Sequence, residues 1–145
     1  PPSAVPFVAR EYIERVGLPV PNPQIAPGYG LAGKPAYLET RSSLTPPRFT
    51  APTPLGPIEV DAVGIYRVDW GDGSPVSTHQ VEGGSWPEGR ISHTYTDVGN
   101  YTVTVSIGWR ADWVAAGASG VVTDIVTNAS ITNFEVRQLQ AVRRR

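Results

Sequence analysis

The chain has 145 residues, no cysteine and a formal net charge of −1. Without thiols, neither disulfides nor thiolate metal ligands can stabilise it, and the near-neutral charge gives no basis for binding nucleic acid or an anionic membrane. The 15 glycines and 15 prolines favour many short strands over long helices. A chain of this length suits one domain with arms, because about 68–70% of the unfolded surface is buried at such a size.

No stretch approaches the ~20 apolar residues of a membrane-spanning helix, so we expect no membrane insertion. No basic-then-apolar secretory signal is present, and methionine is absent. We therefore expect a segment upstream of Pro1 to have been removed or left out, as in an exported precursor. Residues 143–145, all arginine, are interpreted as a solvated basic tail.

Residues 1–34 are predicted to form a short helix and a proline- and glycine-rich arm. Val5, Val8, Tyr12 and Val16 lie at helical spacing and predict one apolar stripe. Because so short a helix is marginal in water, its stripe must pack on its own domain, on a segment upstream of Pro1 or on a neighbouring subunit. We favour its own domain, since a β-sheet leaves edge strands that an arm can cover.

Residues 35–142 are predicted to form a β-domain of seven to nine strands. The first strand is predicted at 36–40, and further strands at 58–62 and 65–70 alternate apolar with charged side chains. The strongest alternation begins at Tyr101 and continues to Trp113, which places one face of that strand in the core. Further strands are predicted at 76–81, 121–127 and 131–142, with a turn of small residues at 115–120.

Two motifs stand out within this domain. Trp70 precedes the turn-forming run Gly71-Asp72-Gly73, and about twenty residues later His93-Thr94-Tyr95 leads to Gly99-Asn100-Tyr101 and the alternating strand. These stretches resemble the PKD domain, which implies an immunoglobulin-like β-sandwich. The resemblance implies structural roles for the motif residues Trp70, Gly71, Asp72, Gly73, His93, Tyr95, Gly99 and Tyr101.

The order of elements around these motifs is similar to that in a group of uncharacterised exported actinobacterial proteins. The similarity rests on the helix end at 13–19, the arm, the stretch 31–38 and the closing stretch 136–142. It implies a secreted or cell-surface location. Members of that group often carry cysteines in the region that corresponds to 77–92, whereas this chain has none, so no disulfide is implied here.

Asp72 is interpreted as a turn carboxylate that accepts hydrogen bonds from nearby amides, with Gly71 or Gly73 at positive φ. The alternative is that Asp69 and Asp72 hold calcium weakly, but neither an EF-hand nor a P-loop follows. Ser119 lacks the flanking pattern of a catalytic serine elbow. We expect no catalytic residue, no cofactor and no metal.

The tryptophans are the remaining candidates for binding. Trp70, Trp109 and Trp113 lie in phase with the core, whereas Trp86 lies in a glycine-rich loop and is expected to be exposed. Trp86 and Tyr29 are therefore the candidate binding residues. The sequence predicts a non-catalytic extracellular or cell-surface module for protein–protein contact or structural spacing. Two alternatives stay open: carbohydrate binding through the Trp86 loop, and a filament subunit that docks through its N-terminal arm.

Overall fold

The computed structural model describes residues 5–138, which form one helix and nine strands. The elements are α1 Val5–Val16, β1 Gln24–Ile25, β2 Tyr29–Leu31, β3 Pro35–Glu39, β4 Phe49–Ala51, β5 Ile58–Asp69, β6 Ser77–His79, β7 Ser92–Thr94, β8 Gly99–Ala115 and β9 Ala118–Arg137. The predicted predominance of β-structure is confirmed, whereas the immunoglobulin-like identity stays a prediction. The predicted tail at 143–145 lies outside the described residues.

The strands form two sheets. The larger has the order β2-β9-β8-β5-β4, with β6 also paired to β5, and the smaller has the order β1-β3-β7. All pairs are antiparallel except β2 with β9, which run parallel. Among residues 5–138, no helix is long and apolar enough to cross a membrane.

The longest hairpin of the large sheet, β8–β9, is more continuous than the sequence predicts. Ala116 and Gly117 alone connect β8 to β9, and Gly117 has a φ of 78°. The predicted turn at 115–120 is therefore too long. The predicted separate strands at 121–127 and 131–142 are likewise wrong, because 118–137 is one strand. Two irregularities in its pairing fall near Asp124 and Asn133, which have positive φ of 55° and 53°. An extra residue at a bulge shifts the side-chain phase while pairing continues, so one strand resembles two in sequence.

Helix α1 packs on its own chain through a face that differs from the predicted one. Ala9 and Ile13 are fully buried, whereas Val16 is 48% exposed, so the stripe that includes Val16 is wrong. The side chain of Val5 lies outside the described residues. The Arg10 guanidinium pairs with Asp124 of β9, and the helix also contacts β4. These contacts turn the face with Ala9 and Ile13 toward the sheet and leave Val16 in solvent.

The predicted arm contributes strands to both sheets. Ile25 of β1 pairs with Leu38 of the small sheet, and Gly30 of β2 pairs with Val136 of the large sheet. The Thr127 hydroxyl donates a hydrogen bond of 2.6 Å to the Pro19 carbonyl. The segment after the helix is therefore integrated into the fold, although its strands are too short to be recognised from alternation.

The two sheets and the helix share one hydrophobic core. Its fully buried large side chains include Tyr66, Val103, Val105 and Ile107 from the large sheet, Leu38 from the small sheet, and Ile13 from the helix. β8 buries every second residue from Val103 to Trp113. This pattern agrees with the core phase predicted from the sequence.

The packing of α1 predicts a difference between two aliphatic truncations. Ile13→Ala removes fully buried methyl groups, so we expect the free energy of unfolding to fall by about 2–5 kcal/mol. Val16→Ala, at an exposed position of the same helix, is the control and should change it by less than about 0.5 kcal/mol. Urea denaturation of both variants measures the difference. Equal effects would contradict the packing of α1 on its own chain.

Candidate binding site

The first motif forms a tight turn at the end of β5. Gly71 and Gly73 have φ of 79° and 84°, a region that favours glycine. The Asp69 carboxylate accepts a hydrogen bond of 3.0 Å from the Gly71 amide. Asp72 Oδ1 accepts one of 3.1 Å from the Ser74 amide and another from the Ser74 hydroxyl. Asp72 is therefore a turn carboxylate, as the sequence predicts.

The second motif packs on the first through stacked rings. The His93 imidazole lies parallel to the Trp70 indole, with centroids 4.9 Å apart, and its Nε2 is 2.7 Å from Asp72 Oδ2. The Tyr95 hydroxyl donates a hydrogen bond of 2.8 Å to the Trp70 carbonyl, and its ring lies 4.6 Å from that of Tyr101. We call Trp70, Asp72, His93 and Tyr95 the aromatic latch. It joins the end of β5 to β7 and to the start of β8.

Electrostatics hold the Asp72 carboxylate in its charged form. Burial raises its pKa, but the hydrogen bonds from Ser74 and His93 outweigh burial and lower the pKa from 3.8 to about 2. The pKa of the Tyr95 phenol is raised, first by burial and then by the charge of Asp72. At neutral pH the latch therefore contains a carboxylate that accepts hydrogen bonds and a phenol that keeps its proton.

The polar side-chain atoms of Trp70 and Asp72 are hydrogen-bonded to other residues of the fold. Both Asp72 oxygens have partners, and the Trp70 indole N–H donates a hydrogen bond of 3.3 Å to Ser77. Within residues 5–138, no three His, Cys, Asp or Glu side chains are grouped so that they could hold a metal ion. The alternative prediction is a calcium site at Asp69 and Asp72. In the described part of the chain, no third carboxylate or histidine is grouped with that pair so that it could complete such a site.

The loop between β6 and β7 is fixed to β3 mainly through its backbone. The Gly83 amide donates a hydrogen bond of 3.0 Å to the hydroxyl of Thr40, which is fully buried. The Leu38 amide donates one of 2.9 Å to the Ile91 carbonyl. A Cβ at Gly83 would lie 2.2 Å from the Leu38 carbonyl oxygen, so only glycine fits there. The loop therefore has a defined shape.

Trp86 projects from this loop into solvent. Its side chain is 73% exposed, and it is the only large aromatic residue exposed to this degree in the described part of the chain. Beside the indole lies a cleft of about 390 Å³. The cleft is lined by Ala26, Pro27, Pro35, Tyr37, Ser85 and Trp86.

A second, polar depression adjoins the cleft, because Ser85 lines both. Its volume is about 230 Å³, and its charged lining residues are Glu82, Glu88 and Arg90. Among the described residues, no ion pair involves any of these three. We call the cleft and the depression together the Trp86 surface.

Tyr29, the other candidate residue, lies elsewhere. It is half-buried on β2, and the Arg137 guanidinium covers its ring at 3.9 Å from the centroid. Tyr29 is absent from the cleft lining, whereas Tyr37, which sequence reasoning missed, is part of it. The sequence holds one signal for Tyr37: it lies between the apolar residues Ala36 and Leu38 of the predicted first strand. Side chains alternate along a strand, so Tyr37 points away from the core that buries Ala36 and Leu38.

No protein-family model, curated protein or solved structure matches the chain. The resemblance to the PKD domain therefore stays a prediction.

The low pKa of Asp72 predicts how stability changes in acid. The fold lowers this pKa, so the charged form stabilises the protein above about pH 4, and that contribution is lost as the pH falls through about 2. Because residue 72 lies at an exposed turn, solvent screens these interactions, and we expect the loss of stability to be about 1 kcal/mol or less. We expect Asp72→Asn to remove this acid-dependent loss. Denaturant unfolding between pH 6 and pH 2 measures it.

Asp97→Asn, which changes an exposed carboxylate outside the latch, is the control and should keep the wild-type pH profile. If wild type and Asp72→Asn lost stability in parallel on acidification, the stabilising role assigned to the charged Asp72 would be wrong.

Proposed function

We propose that the chain is a non-catalytic module of an exported or cell-surface protein. Its role is to contact another molecule or to space the parts of a larger assembly. The observation that carries this proposal is the Trp86 surface, which combines a fixed loop with an exposed aromatic ring. Large aromatic side chains are favoured at binding surfaces because they provide much contact area with few rotatable bonds.

The aromatic latch supports the non-catalytic half of the proposal. A catalytic acid or base needs a group within reach of substrate and a pKa suited to its task. Asp72 has the opposite properties, since its oxygens bind Ser74 and His93 and its pKa is lowered. Its perturbed pKa is explained by its structural contacts.

The position of α1 bears on the filament alternative. A helix that docks on the next copy would leave its own sheet uncovered. Here Ala9 and Ile13 are buried on the same chain, and Arg10 pairs with Asp124. This packing favours a lone module over a subunit that docks through its N-terminal arm.

Substitution of Trp86 tests the proposal. Because the indole is 73% exposed, Trp86→Ala should change the free energy of unfolding by less than about 0.5 kcal/mol. The same substitution should weaken binding of the full chain to peptide and oligosaccharide arrays by about tenfold or more. Val98→Ala, at an exposed aliphatic residue outside the Trp86 surface, is the control for both measurements.

Two results would contradict the proposal. One is array binding that Trp86→Ala leaves unchanged. The other is turnover of chromogenic ester, peptide or glycoside substrates that is lost in Asp72→Asn. The first would remove the Trp86 surface as the contact site, and the second would make the latch a catalytic site.

A further inference from the structure

The two halves of the Trp86 surface offer different chemistry within one site. On one side, the rings of Trp86 and Tyr37 with two prolines form an apolar cleft. On the other side, Glu82, Glu88 and Arg90 line a polar depression, and no ion pair joins them to the described residues. A ligand that satisfies both sides must itself be apolar on one face and rich in hydrogen-bonding groups along its edge.

We propose that the Trp86 surface binds a neutral oligosaccharide. This inference rests on the proposed function, because it names the ligand class of the same surface. A sugar ring has a face of C–H groups, which packs on the indole of Trp86, and a rim of hydroxyl groups. Each hydroxyl both donates and accepts hydrogen bonds, so the rim can donate to the carboxylates and accept from the guanidinium.

The charges around the depression favour a neutral ligand. Glu82 and Glu88 carry two negative charges against the one positive charge of Arg90. An acidic polysaccharide, a sulfated sugar or a phosphorylated peptide would therefore meet a net negative site. A neutral hydroxyl-rich ligand avoids this repulsion and still uses the donors and acceptors of all three side chains.

The size of the surface favours an oligosaccharide over a protein partner. A standard protein interface buries about 800 Å² on each partner and has an apolar core. Trp86 is the only exposed large apolar residue that lines the cleft or the polar depression. The cleft of about 390 Å³ lies instead within the range of about 300–1,000 Å³ that is usual for small-ligand sites.

The anchoring of the loop reduces the cost of binding such a ligand. Three hydrogen bonds involving backbone groups fix the loop: Gly83 to Thr40, Leu38 to Ile91 and Gly89 to Ser85. Sugars usually offer small apolar contacts, so a site that must first become ordered would bind them weakly. The Trp86 loop is held in place by these bonds before any ligand arrives.

The test uses the full chain and an array of neutral oligosaccharides derived from cellulose, xylan, mannan and chitin, next to a peptide array. The strongest neutral ligand is then titrated by tryptophan fluorescence and calorimetry. Trp86→Ala should weaken binding about tenfold or more, because the ring contact is lost. Trp86→Tyr should restore most of the affinity, because it keeps an aromatic face.

Glu88→Gln should weaken binding less than Trp86→Ala, because an amide keeps one acceptor. Val98→Ala is the control for exposure and should bind as the wild type does. Thermal unfolding of each variant shows whether it is folded.

The outcomes separate this inference from the proposed function. If the chain binds peptides in a Trp86-dependent way and binds no neutral oligosaccharide, the inference is wrong and the proposed function stands. Binding of acidic sugars alone, or equal affinity of Trp86→Ala and wild type for the neutral ligand, would also overturn it. If neither array is bound, both the sugar inference and the contact role of the Trp86 surface fail.

Discussion

The stack of His93 on Trp70 is the contact on which the rest of the structure depends. Trp70 directly follows β5 of the large sheet, whereas His93 belongs to β7 of the small sheet. Asp72 fixes the imidazole from the turn, and Tyr95 fixes the Trp70 carbonyl from the segment that enters β8. One set of side chains therefore sets the position of three strands and both sheets. Buried aromatic rings are suited to this, because each removes a large apolar area from water and still offers a polar atom for a directional bond.

The latch also determines where the candidate binding surface lies. His93 pairs with Ala36 across β7 and β3, and the next pair joins Ser92 to Tyr37. Because side chains alternate along a strand, His93 faces the latch while the neighbouring pair faces outward, which places Tyr37 in the cleft. Ile91, directly before β7, accepts the backbone hydrogen bond from Leu38 that holds the Trp86 loop. The core side of β3 and β7 thus supports the latch, and their outer side supports the Trp86 surface.

Local patterns predict part of this structure, and long-range pairing explains what they miss. The alternation of apolar and polar residues predicts the buried face of β8 from Val103 to Trp113. The glycines on either side of Asp72 predict that its carboxylate accepts hydrogen bonds within a turn. β1 and β2 have only two and three residues, which is too few to show alternation, and β2 pairs with the far end of the chain at Glu135 to Arg137. Trp86 is predictable as exposed because it lies between Ser85 and Pro87 in a glycine-rich loop. Its proximity to Tyr37 is a tertiary contact that no local pattern encodes.

Backbone anchoring also explains why a binding surface can occur on this loop without weakening the fold. The bonds that hold the loop use main-chain atoms at Gly83, Leu38 and Gly89, together with the Thr40 hydroxyl. The side chains of Trp86, Glu82 and Glu88 are exposed and do not hold the loop. Their identity can therefore change the ligand that is recognised while the loop keeps its shape. In the latch, by contrast, side chains hold the structure itself, so a change there alters stability first and binding only through the displacement of β7.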